Sequence, residues 1–165
     1  MSSDNIEIAT PDRDAVDRLV ELWVTLADGQ REHGSHILAE ANRATIRDTI
    51  THHVVAETAR AAYDGDRIVG FVTFGVESQT YAQDVERGFV HNLYVDASFR
   101  GNGIGAALLT AAEEALAEAG VDAVALQLLA RNERARRFYR RHGYAPHRLE
   151  LEKSTETDSL TTADR

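Results

Sequence analysis

Three glycines within five residues, Gly101, Gly103 and Gly105, stand between a β-branched and aromatic run at residues 89–95 and a stretch of helical periodicity. A strand that turns through such a loop straight into a helix leaves backbone N–H groups unpaired at the helix start, where the helix dipole also favours an anion. Arg100-Gly101-Asn102-Gly103-Ile104-Gly105 therefore predicts a strand–loop–helix unit whose junction is a candidate phosphate cradle. Glycines also mark tight turns and close helix packing, so on the loop alone a structural role and a binding role stand equally open. A Walker loop would continue into Gly-Lys-Ser/Thr, but Gly105-Ala106-Ala107 follows here. A dinucleotide loop would open an early βαβ unit with an acid closing the next strand; Asp122 is near that distance but precedes its strand.

The flanking pattern supplies the rest of a domain. Ile6 and Ile8 alternate as a strand, and Thr10-Pro11 reads as a helix start followed by Val16, Leu19, Val20, Trp23, Leu26 and Ala27 on one face. A second helical stretch is read over residues 35–53. Asp64-Gly65-Asp66 predicts a tight turn joining two antiparallel strands, the second running through Ile68 to Phe74. After the glycine loop, Ile104, Leu108, Leu109, Ala112 and Leu116 form the inner face of a helix closed by Gly120. Val124, Leu126 and Leu128 read as a strand, Asn132 caps a short helix ended by Gly143, and Leu149 and Leu151 predict a last strand. One domain over residues 1–153 is expected, with a polar, Thr-rich tail at 154–165.

Composition narrows the functions available. The chain has 165 residues and no cysteine, so its chemistry uses no protein thiolate or zinc–thiolate site. A formal charge of -9 argues against a nucleic-acid surface. The start of the chain lacks a signal-like apolar core and no run is long enough for a membrane span, so a cytoplasmic protein without membrane partners is expected. Lys153 is the only lysine, and acid excess with arginine as nearly the sole cation fits a high-salt proteome and equally a GC-rich genome. Against that background, residues 131–148 hold seven arginines, Arg141 among them, and one glutamate. Such a patch suits phosphate groups, although an ordinary solvated helix face would look the same.

Two blocks together carry a family resemblance. Leu93-Tyr94-Val95-Asp96 followed by Phe99 and Arg100-Gly101-Asn102-Gly103-Ile104-Gly105 resembles the acetyl-CoA signature of the GNAT acetyltransferase superfamily, Arg/Gln-x-x-Gly-x-Gly/Ala. Asn132-Glu133-Arg134-Ala135-Arg136-Arg137-Phe138-Tyr139, with Gly143-Tyr144 after it, resembles the Asn-x-x-Ala-x-x-Phe-Tyr and Gly-Phe/Tyr elements that follow in that family. The resemblance covers residues 89–144; the amino-terminal half matches only in its order of elements. It implies an α+β fold, a mixed and mostly antiparallel sheet flanked by helices, in the order β-α-α-β-β-β-α-β-α-β. It also implies acetyl-CoA as donor and an amine, of a small molecule or a protein, as acceptor. Exposed edge strands in such a fold are compatible with a homodimer.

Roles carried over from the resemblance fall on specific positions. Leu93, Tyr94 and Val95 would pair with the pantetheine arm, the Leu93 N–H facing the thioester carbonyl. Residues 100–105 with Ala106 would hold the pyrophosphate, and Asn132, Ala135 and Arg141 would line the same cofactor. Tyr139 matches the family's tyrosine that protonates the departing thiolate, the alternative being that it only packs with Phe138. An alkyl amine of pKa ~10.4 is only about 0.1% neutral near pH 7.4, roughly a 4 kcal/mol penalty, so a base is needed. His91, read as sharing strand parity with Leu93 and Val95, is a candidate, as is a water activated by Glu77 or Glu86; a merely structural His91 is the alternative. His33, His36, His52 and His53 lack further ligands for a metal and read as surface or loop histidines. Beside the enzyme stand two other readings, an acyl-CoA-binding module without turnover and a nucleotide-binding protein using the same loop.

Overall fold

The computed structural model describes residues 5–156. One five-stranded sheet runs β1 (Ile6–Ala9), β2 (Ala59–Asp64), β3 (Arg67–Val76), β4 (Arg87–Val95) and β5 (Ala123–Leu126) in sequence order. All neighbours are antiparallel except β4 and β5, which are parallel. Helices α1 (Val16–Gln30) and α2 (Arg43–Val55) cover one face, packing Leu19, Trp23, Ile46 and Ile50 against Ala61, Ile68 and Phe71. Helices α3 (Ile104–Glu118) and α4 (Glu133–Arg141) cover the other, where Leu108, Leu109 and Leu116 meet Val69, Val72, Phe74 and Val90. The alternation of Phe71 and Val72 to opposite faces is the period-2 pattern that lets one strand serve both cores. This is the expected mixed, mostly antiparallel α+β architecture.

The Asp64-Gly65-Asp66 turn forms as read, with Gly65 at φ 60 supplying the left-handed residue that a two-residue hairpin loop requires. Two boundaries and one element differ. α1 is led in by a 3-10 turn at Arg13–Ala15, which Asp12 caps by accepting from Asp14 N–H at 3.0 Å, so Thr10 and Pro11 lie outside the helix. The second begins at Arg43 instead of Ser35, because Gly34 at φ 96 ends the preceding turn and residues 35–38 run irregularly. The predicted last strand is absent among the described residues: Leu149 and Leu151 are 82% and 89% exposed, and no ladder partner engages them. Side chains hold that segment instead, Tyr144 O–H donating to Glu113 at 2.9 Å and His36 meeting Glu152 at 2.8 Å. Period-2 alternation makes a segment able to pair, but a strand exists only where an edge accepts it. Of the tail expected at 154–165, residues 157–165 lie outside the described residues.

Candidate active site

The sheet opens beside the glycine loop. β5 pairs with β4 only as far as Val90↔Leu126, whereas β4 runs on to Val95. The far half of β4 thus keeps a strand neighbour on the β3 side alone. Asp96 N–H donates to Val69 C=O at 2.8 Å, next to the Gly70↔Val95 pair. Antiparallel partners alternate between bonded and non-bonded pairs, so Tyr94 turns its backbone groups to β3 while Leu93 and Val95 turn theirs to the open edge. The Val95 C=O accepts from Arg100 Nε at 3.0 Å. The Leu93 N–H expected to face a thioester therefore does face the gap.

The loop closes one end of this gap. Gly101 and Gly103 sit at φ 83 and φ 78, with open space where a Cβ would stand. Their conformation, and not crowding, is what demands glycine. Gly103 caps α3 without a side chain, and the first-turn N–H groups of Ile104, Gly105 and Ala106 follow it. Asn102 Nδ2 donates to Phe99 C=O at 3.2 Å and holds the loop's shape. Arg100 is pinned back onto β4, with its guanidinium 5.4 Å from the Tyr94 ring centroid.

Helix α4 brings the second block to the same place. A Cβ on Gly105 would stand 3.6 Å from the Phe138 ring and 3.8 Å from Val95 Cγ2, so loop, strand and α4 meet there. Asn132 Oδ1 accepts from Ala135 N–H at 3.1 Å, a true cap that leaves its amide nitrogen free for another acceptor. Arg134 and Arg141 flank Phe138 at helical spacings of four and three, so they rise on the loop side of α4 and are exposed. Arg136 instead pairs with Glu133 at 3.3 Å. Tyr139 lies edge-on to Phe138 and Tyr144, with ring centroids 5.1 and 5.7 Å away. Its burial pushes the phenol up to about 12. The hydroxyl makes no protein hydrogen bond and is not sealed from solvent.

His91 is where the sequence reading needs correction. Thr73 pairs with Asn92 and Phe74 with Val90, which leaves His91 as the extra residue of a β-bulge. A bulge breaks strict alternation, so His91 does not share the side of Leu93 and Val95, which pack toward α3. Its ring lies on the α1/α2 face, 5.6 Å from the His53 ring and 5.5 Å from Phe89. There Asn92 Nδ2 also donates to Thr73 Oγ1 at 3.0 Å. Part of the His91 ring reaches the surface, yet desolvation by these neighbours lowers its pKa from the ordinary 6.5. The two glutamates fall away: Glu77 is clamped by Arg87 at 2.6 and 2.7 Å, and Glu86 joins the turn with Asp122. Both lie near the start of β4, about 20 Å of strand rise from Leu93.

His53 is the residue that sequence reasoning misplaced. It sits on α2, half-buried, and its Nδ1 meets Thr58 Oγ1 at 2.7 Å, so it is no surface histidine. No sequence signal marks it, because the bulge that turns His91 toward it is invisible in the pattern. His33, His36 and His52 do lie at or near the surface, and no set of three metal-ligating groups occurs among the described residues.

A splayed parallel strand edge thus lies beside a glycine-rich helix start, and comparison with known proteins gives this arrangement a family. The Acetyltransferase (GNAT) family matches residues 16–144, and the chain belongs to it. Acetyl-CoA is the donor that family uses. Among solved structures, a GCN5-related N-acetyltransferase from Ralstonia eutropha JMP134 is 25% identical with a TM-score of 0.73, over 90% of this chain and 97% of that one. PaiA N-acetyltransferase from Thermoplasma acidophilum, solved in complex with coenzyme A, is 17% identical with a TM-score of 0.73, over 88% and 92%. No curated protein matches the sequence.

Proposed function

We propose that this chain is an N-acetyltransferase that holds acetyl-CoA along the open half of β4 and lets a primary amine attack the thioester directly in a ternary complex. One observation carries the reading: Leu93 and Val95 turn their backbone groups to an edge that β5 leaves, next to the first turn of α3. A pantetheine arm, extended and amide-bearing, suits that edge as an added strand would. Residues 100–106 suit the pyrophosphate, with Asn132, Ala135, Arg134 and Arg141 on the α4 side.

His91 takes the proton of the acceptor amine from the α1/α2 face, opposite the face that carries α3 and α4. Its lowered pKa keeps it unprotonated, and so able to act as a base, at neutral pH. The Leu93 N–H stabilises the carbonyl oxygen as it gains charge. Tyr139 returns a proton to the departing sulfur; at about 12 its phenol stays protonated through the physiological range. The acceptor is a small-molecule or protein amine.

The test is thiol release from acetyl-CoA against a panel of amines, with calorimetric titration of acetyl-CoA alongside. Turnover with at least one amine supports the enzyme. Tight binding with no turnover on any acceptor favours the acyl-CoA-binding module, and competition by ATP or NAD favours a nucleotide-binding protein.

A further inference from the structure

Among the described residues no hydrogen bond engages the His91 ring, which lies between Phe89 and His53, at 5.5 and 5.6 Å, with its Nε2 beside Gly75. His53, in contrast, is fixed: Nδ1 is bonded to Thr58 Oγ1 at 2.7 Å, and α2 carries the residue on a half-buried face beside Val54 and Ile50. Around the pair, β3 contributes Thr73 and Gly75, β4 contributes Phe89 and Asn92, and α2 contributes His52. Among the described residues, the charges that act on His53 are those of His91 and His52. A second imidazole that was merely filling space would be an odd choice against a base, because two cationic rings at this distance repel.

We infer that His53 is the positioning residue of His91: it stays neutral, shields the neighbouring ring from water and holds it in the orientation that receives the acceptor's proton. This rests on the reading of His91 as base. The geometry favours one direction of proton uptake. His91 reaches the surface and the acceptor, while His53 is withdrawn and already engaged by Thr58. A proton arriving at the pair therefore settles on His91, and burial together with the charge of His91 lowers the pKa of His53 to about 4.

The test follows the His91 ring by NMR through a pH titration of the whole protein, its signal assigned by loss in His91→Phe. His53→Ala admits water and is expected to move the His91 titration up toward the ordinary 6.5, whereas His53→Phe keeps the packing and leaves it low. An unchanged His91 titration in His53→Ala, or an equal shift in both variants, overturns the inference. If His53→Ala does not fold, His53→Asn, which can still bond Thr58 but is smaller, replaces it with the same upward shift expected. Turnover of His91→Phe is read separately. Wild-type turnover there removes His91 as the base while the NMR result still decides whether His53 controls it.

Discussion

Phe138 of α4 packs across Gly105 of α3, its ring 3.6 Å from the point where a Cβ would stand. That contact joins the two sequence blocks, 33 residues apart in the chain, into one wall of the gap beside β4. Gly105 has ordinary helical backbone and a Cβ there makes only ordinary contact, so Gly105→Ala is expected to keep the fold and acetyl-CoA binding. Larger residues must displace Phe138. Gly105→Leu is expected to weaken acetyl-CoA binding by pushing α4 off the loop, which calorimetry would detect.

Gly103 differs, because its φ of 78 is a conformation that a Cβ resists. Gly103→Ala should cost about 1–2 kcal/mol in urea unfolding, the penalty of a left-handed L-residue. It should also weaken acetyl-CoA binding as the first-turn N–H groups lose their aim. Unchanged stability would mean that the loop relaxes to another conformation.

Tyr139→Phe keeps the edge-on packing with Phe138 and Tyr144 and removes only the hydroxyl. Loss of a proton donor is expected to lower kcat by about 10²-fold or more while acetyl-CoA affinity stays nearly constant. Full turnover at a saturating acceptor would assign Tyr139 to packing.

Stability should fall in mild acid. In the unfolded chain an imidazole takes up its proton near 6.5, but His53 in the folded protein waits until about 4. Between those values the unfolded state binds a proton that the folded state refuses, so the stability present above pH 6.5 is lost as pH falls through this window. His91, also lowered, acts with the same sign. Urea midpoints measured on both sides of pH 6.5 should show this slope, and His53→Phe should flatten it.

Arg134 and Arg141 stand on the loop side of α4, and neither belongs to an ion pair of the described residues. The double change to alanine should weaken acetyl-CoA binding about tenfold, on the order of 1.4 kcal/mol, and reduce its salt dependence. Arg136, paired with Glu133, should matter less when changed alone.

Local chemistry made much of this molecule legible in advance. The Asp64-Gly65-Asp66 turn, the helix ends at Gly120 and Gly143 and the Asn132 cap are written in residues whose backbone preferences act over a few positions. The loop at residues 100–105 and the block at 132–139 were legible for the same reason. Less so was the stretch from Ser35 to Arg43, where Gly34 ends a turn and no periodicity follows. Leu149 and Leu151 misled because alternation states only a capacity to pair.

By itself, then, the sequence determined the glycine conformation of the loop and the order of strands and helices through α4. Tertiary structure alone decided where β5 parts from β4, that Leu93 faces the opening, and that His91 turns toward His53 and away from Val95. The physical reason is that register and bulges arise from pairing between distant segments. One extra residue in β4 reverses the side of a histidine without altering any local preference.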